Sequence, residues 1–200
     1  MGKFEGMLLL SDYDNTLLYT EEALQKGTPR PPMSQRNLDA IAYWQAEGGV
    51  FSVATGRALE AFRRHAHEVP VNAPIVVDNG GAIYDLERET YVVKNFLPEI
   101  APIHIAAIAE RFPHVALELY PDADFVQVLR PTAWNERHAK LTGARYEEIF
   151  TVDRQNRNYR RLQIRMHGIY RRTDWHCVST AVKTIMRITQ ESCGITMFHA

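Results

Sequence analysis

Cysteine is scarce in this 200-residue chain: Cys177 and Cys193 stand 16 positions apart, and no C-x-x-C pattern occurs. That excludes a disulfide framework and a cysteine zinc site, and both residues read as reduced cytosolic thiols. Neither sign of charge is in excess. Lys and Arg number 23 against 24 Asp and Glu, for a formal net charge of −1. No global basic field points to nucleic acid, and no acidic tail points to disorder. Long hydrophobic runs are missing too. The opening "MGKFEGMLLLSD" has a short apolar stretch that ends at Ser11 and Asp12, too short for a signal-peptide core or a membrane span. Position 6 is Gly6, where a myristoylation signal needs Ser or Thr. There is no internal repeat and no low-complexity segment. The expectation is a soluble cytoplasmic protein, without a membrane or nucleic-acid partner, long enough to bury a real core in one or two domains.

What is present is an α/β pattern. Met7 to Asp12 is apolar on successive residues, as in a strand buried on both faces of a parallel sheet. A loop rich in Gly and Pro, "KGTPRPPMSQ", follows. Ser34 then reads as the N-cap of a helix through "QRNLDAIAYWQAEG", which Gly48 and Gly49 stop. A strand "GVFSVATG", a helix over 57–67 and a strand "APIVVDNGG" complete a strand–helix repeat typical of a right-handed parallel sheet. Ligands of such sheets bind beyond the carboxyl ends of the strands. Asp12 and Asp14, Thr55 and Gly56, and Asp78 and Asn79 all fall at such ends, so the pattern brings them to one edge.

After Gly81 the pattern changes. "AIYDLERETYVV" predicts a hairpin, and a helix near "EIAPIHIAAIAERF" carries Pro102 in its first turn. Strands "VALELYP" and "FVQVLR", a helix "TAWNERHAKLTG" closed by Gly143, and strands "YEEIFTV" and "RRLQIRMHG" follow. In the last of these, Leu162, Ile164 and Met166 alternate with Gln163 and Arg165, which predicts one buried and one wet face. A long helix over about 173–190 and a final strand "GITMFHA" end the chain. The expected division is residues 1–84 as a partial Rossmann-like core and 85–200 as an α+β domain with a one-sided antiparallel sheet.

Asp12 and Asp14 are the first candidates for chemistry. In an extended segment i and i+2 point the same way, so both carboxylates can serve one site. Two such charges favour a cation between them, and Mg²⁺ is the natural hard cation for sparse carboxylates plus a phosphate oxygen. One carboxylate can attack phosphorus while the other moves protons. A capping or turn pair is the structural reading of the same residues, and for an isolated D-x-D it is the better one. An EF-hand loop fails, because its glycine position is Leu17 and its closing glutamate position is Ala23. In "SVATGR", Thr55 and exposed N–H groups suit a phosphate, and Arg57 adds charge. The competing reading is Thr55 as a helix N-cap. Its place 43 residues after Asp12, at the end of the next strand, favours the phosphate.

Together "DYDNT", "SVATGR" and "VVDNGGAIYD" resemble three segments of the haloacid dehalogenase-like (HAD) superfamily, in its Cof-type subgroup with a large α/β cap after the third core strand. The order of elements over 85–200 is similar to that cap. The resemblance implies a Mg²⁺-dependent phosphatase acting on a small phosphorylated metabolite such as a sugar phosphate. Asp12 would be the nucleophile and Asp14 the general acid/base. Thr55 and Gly56 would bind phosphate, with Arg57 and Asn79 at the substrate. The metal would be held by the Asp12 carboxylate and the Asp14 main-chain carbonyl.

The family also uses a lysine and a "GDxxxD"-like acidic run after the cap. "YPDADF", Lys140 and Lys183 stand in the wrong places for either, so core strands four and five are expected to be missing. A truncated gene product, strands supplied by another chain, or a degenerate member would each account for this; truncation is the expectation. The first strand should then be a sheet edge open to self-association, and turnover by this chain should be impaired. The rival functions are a non-catalytic remnant that binds phosphate and a sugar phosphomutase. His65 and His67 project to opposite sides of a helix and cannot share a metal. The basic stretch 157–172 reads as a solvated strand or a face that greets a phosphorylated substrate. Tyr120, Phe125 and Trp134 read as core.

Overall fold

The computed structural model describes residues 2–166 and 195–198. The chain forms two compact units, Met1–Lys94 and Asn95–Ala200.

The first unit is a five-stranded sheet in the order β1-β2-β3-β4-β5. Its parallel strands are β1 (Leu8–Asp12), β2 (Val50–Ala54) and β3 (Ile75–Val77). The hairpin β4 (Ala82–Asp85) and β5 (Thr90–Lys94) continues it antiparallel to β3. The hairpin's hydrogen bonds to β3 put it in this unit, so the division falls at 94/95 where the sequence pattern had suggested 84/85. The core is built of Tyr13, Phe51, Val53, Leu59, Phe62, Ile75, Val77 and their neighbours. α2 (Gln35–Ala46) starts where expected: Ser34 accepts from the Asn37 N–H at 3.2 Å. It ends at Gly48, whose φ of 83° suits glycine. The helix expected over 57–67 is shorter, α3 (Leu59–Arg63) followed by a 3₁₀ turn Ala66–Glu68. One helix was not foreseen, α1 (Thr20–Lys26).

β1 departs from its sequence pattern. The run of leucines predicted a strand buried on both faces, yet Leu8, Leu9 and Leu10 are 62%, 42% and 46% exposed. β1 pairs only with β2, so among the described residues both its faces and its outer backbone edge are open. Among the described residues β1 lies at the edge of its sheet, as expected.

The second unit holds α4 (Ala101–Arg111), β6 (Val115–Pro121), β7 (Phe125–Leu129), α5 (Ala133–Thr142), β8 (Arg145–Ile149), β9 (Tyr159–Met166) and β10 (Ile195–Phe198). The sheet order is β10-β9-β6-β7-β8. It is mixed rather than antiparallel, since β7 with β8 and β9 with β10 are parallel. Nor is it one-sided. β6 is buried along its whole length. Leu117 and Leu119 pack with Ile105 and Ile108 of α4 on one face, while Glu118 on the other meets Asn135 of α5. In β9, Arg160 and Arg161 are buried, not solvated; side chains beyond Leu162, the helix expected over 173–190 and the rest of the basic stretch lie outside the described residues. No helix among the described residues is long and apolar enough to cross a membrane.

Candidate active site

The site is built at the carboxyl ends of β1, β2 and β3. Between Asp12 and Asp14 the chain stays extended enough for alternation to hold. Tyr13 points into the core and is fully buried, where its ring meets Phe62 edge-on with centroids 5.1 Å apart. Asp12 is exposed and Asp14 half-buried, away from Tyr13. Burial pushes the Tyr13 phenol above its usual pKa, against the lowering fields of Arg30 and Arg57.

The residues after the aspartates shape the loop. Thr16 donates its hydroxyl to Asp12 Oδ2 at 3.1 Å. Asn15 adopts φ 61°, a left-handed turn that Asn tolerates. Its Oδ1 accepts from the Glu21 N–H at 3.0 Å and so caps α1. The pattern D-x-D-x-T contains both residues, but their tasks here, a turn, a cap and a grip on the first carboxylate, have no signature in spacing alone.

Thr55 lies just beyond β2. It is not the N-cap of α3, because Ala58 holds that place. Its Oγ1 instead accepts from the Arg57 N–H at 3.1 Å, which leaves the hydroxyl hydrogen to donate elsewhere. The third strand end folds over this loop. Asn79 donates its N–H to the Thr55 carbonyl at 3.2 Å, and Asp78 donates to the Arg57 carbonyl at 2.9 Å. Asp78 and Asn79 both have φ 56° and Gly80 has φ 91°. Gly56 is packed tightly, for a Cβ there would stand 2.7 Å from Asn79 Oδ1. The three strand ends expected to converge are thus joined by hydrogen bonds.

Arg57 was expected at the substrate, and the structure places it differently. Its Nε and Nη2 donate to Asp14 Oδ2 and Oδ1 at 2.9 and 2.7 Å, a bidentate pair. The guanidinium carbon lies 5.0 Å from the Tyr13 ring centroid. Its side chain is only 6% exposed. A sequence cannot tell an arginine aimed at solvent from one folded back onto the preceding strand end.

As a metal site these donors are sparse. Among the described residues, no three His, Cys, Asp or Glu side chains gather in a way that could hold an ion. Asp12 offers an exposed carboxylate. The Asp14 carboxylate is engaged by Arg57, so its donor toward an ion would be the main-chain carbonyl. One hard carboxylate plus a carbonyl fits Mg²⁺, which keeps several waters and takes the rest of its shell from a phosphate.

Residues 9–175 match the family model of haloacid dehalogenase-like hydrolases. No curated protein matches the chain. Among solved structures it is similar to BT1666 from Bacteroides thetaiotaomicron, studied among phosphatases of the HAD superfamily, at 25% identity and TM-score 0.54, over 72% of this chain and 48% of that one. The HAD subclass IIB sugar phosphatase BT4131 superimposes with TM-score 0.65 at 14% identity, over 89% of this chain and 64% of that one. TM0651 from Thermotoga maritima gives TM-score 0.62 at 15% identity, over 90% and 62%. The chain therefore spans about half to two-thirds of the length of these structures.

Proposed function

Since the chain belongs to the haloacid dehalogenase-like hydrolases, we propose that it hydrolyses a small phosphomonoester, of the sugar-phosphate class, through an aspartyl-phosphate on Asp12. The observation that carries this reading is the hydrogen-bonded junction of the three strand ends, with the exposed Asp12 at the end of β1, Thr55 just beyond the paired β2, and Asp14 held by Arg57.

A carboxylate oxygen of Asp12 attacks phosphorus, the ester P–O bond breaks, and Asp14 gives its proton to the leaving oxygen. Water then attacks the aspartyl-phosphate, Asp14 takes the proton of that water, and the Asp12–phosphorus link breaks to free phosphate. Thr55 donates its hydroxyl to a phosphate oxygen, and Gly56 presents its backbone N–H to the phosphate while leaving room for the Asn79 side chain packed against it. Thr16 holds one Asp12 oxygen and so orients the other for attack. Mg²⁺, held by Asp12 and the Asp14 carbonyl, would neutralise phosphate charge when bound. Asn79, packed on Gly56, would help shape the substrate pocket.

The engaged state of Asp14 favours one second reading, a protein that binds phosphate without turnover, because both of its carboxylate oxygens already accept from Arg57. The decisive experiment is phosphate release from a panel of phosphomonoesters with Mg²⁺. Turnover that falls at least about 10³-fold in Asp12→Asn supports the phosphatase; unaffected turnover in that variant sinks it. Phosphate binding with no release supports the second reading, and movement of the phosphate within a sugar would indicate a mutase.

A further inference from the structure

Resting on that reading, we infer that Arg57 is a positioning residue for Asp14 and not a ligand of the substrate. Three observations carry it. First, two of the three guanidinium nitrogens are committed to the two Asp14 oxygens, at 2.9 and 2.7 Å. Second, the remaining nitrogen, Nη1, is shut off from solvent and finds no hydrogen-bond partner among the described residues. A phosphate arriving from solvent therefore meets a guanidinium that is buried and already engaged on Asp14. Third, the rest of the residue is tied into the junction. Its N–H donates to Thr55 Oγ1, its carbonyl accepts from Asp78, and its cation lies against the Tyr13 ring.

This fixes what Arg57 can do. A planar fork that grips both carboxylate oxygens sets the rotation of Asp14 as well as its position, which a single hydrogen bond does not. The main chain of the same residue turns the Thr55 hydroxyl so that its hydrogen faces away from Arg57. Arg57 thus aligns the proton carrier and the phosphate donor from behind, and touches neither reactant.

The test is a double-mutant cycle on the full chain, with steady-state kinetics and calorimetric binding of inorganic phosphate. Arg57→Gln should lower kcat by about tenfold or more, within the range of an acid/base contribution. KM and phosphate affinity should stay within about twofold, as for an interaction not made with the bound ground state. Arg57→Lys keeps the charge and much of the fold yet cannot span both oxygens, so it should recover only part of kcat. In an Asp14→Asn background, Arg57→Gln should cost almost nothing further, because Arg57 acts through Asp14. Multiplying losses, or a raised KM and weakened phosphate binding at retained kcat, would overturn the inference and restore Arg57 as a substrate ligand. A wild-type chain that neither turns over nor binds phosphate would instead sink the phosphatase reading, and this inference with it.

Discussion

Both units hold a carboxylate with a basic side chain beside it, and they use it in opposite ways. In the first, Asp14 stands at a strand end, about one-third exposed and gripped from one side by Arg57. In the second, Glu118 sits mid-strand in β6 and is 2% exposed. Tyr120 donates its hydroxyl to Glu118 Oε2 at 3.0 Å, and Asn135 donates to Oε1 at 2.7 Å. His138 Nδ1 stands 3.7 Å from Oε1. The same Asn135 accepts from the Thr132 N–H at 2.8 Å and closes a capping box at the start of α5. Arg161 stacks its guanidinium 3.8 Å from the centre of the Tyr120 ring. A buried carboxylate satisfied from several sides holds architecture together. One at a strand end with an open face is available for chemistry.

Removing Glu118 should break this comparison most visibly. Glu118→Ala leaves Asn135 and Tyr120 facing a void and should destabilise the fold by about 3–5 kcal/mol in urea denaturation, with little change in phosphate affinity at permissive temperature. Acid should sharpen the same point. Burial pushes the Glu118 carboxyl up, but His138, Asn135 and Tyr120 outweigh burial and hold it below its ordinary 4.5. A depressed folded-state value means a stabilising contribution that is full above about pH 4.5 and is lost as pH falls through the folded value. Denaturation midpoints should decline in that acid window, and Glu118→Gln should flatten the decline. An unchanged slope would show that Glu118 is not the group responsible.

Smaller effects belong to the first unit. Gly56→Ala pushes against Asn79 Oδ1, the end of a side chain that can swing away, so it should cost about 1 kcal/mol in stability. Its larger effect should be a weaker phosphate affinity as Asn79 leaves its place. Leu8→Lys should change monomer stability least, within about 0.5 kcal/mol. We propose that the open edge of β1 supports self-association, and a lysine there should abolish it. Sedimentation across a concentration series reads this out; a wild-type chain that stays monomeric throughout would remove the proposal.

Much of both units was legible from local signals. Ser34, Gly48, Pro102 and Gly143 mark helix ends by backbone chemistry that is the same in any protein, and each stands at or within the first or last turn of a helix or just outside it. The strand-end placement of Asp12, Thr55 and Asn79 followed from the alternation of strands and helices. What was not legible depends on partners far away in sequence. α1 has no apolar stripe and begins at a cap supplied by Asn15. β6 reads as alternating, yet its polar face is covered because α5 brings Asn135 onto Glu118. Arg57 looks like any charged residue after a glycine until Tyr13 and Asp14 are seen to receive it.

The turn after β3 places three successive residues, Asp78, Asn79 and Gly80, in the left-handed region. For most side chains each such step costs roughly 1–2 kcal/mol, and here the steps adjoin, with Asp78 wholly buried. Few amino acids meet these demands, so this stretch carries a high density of information. A library randomised at 78–80 and selected for folding should return little beyond Gly, Asn and Asp. The narrowest passage for drift in this protein is therefore the three-residue bend that holds Thr55 and Arg57 in register, rather than the residues that would meet substrate.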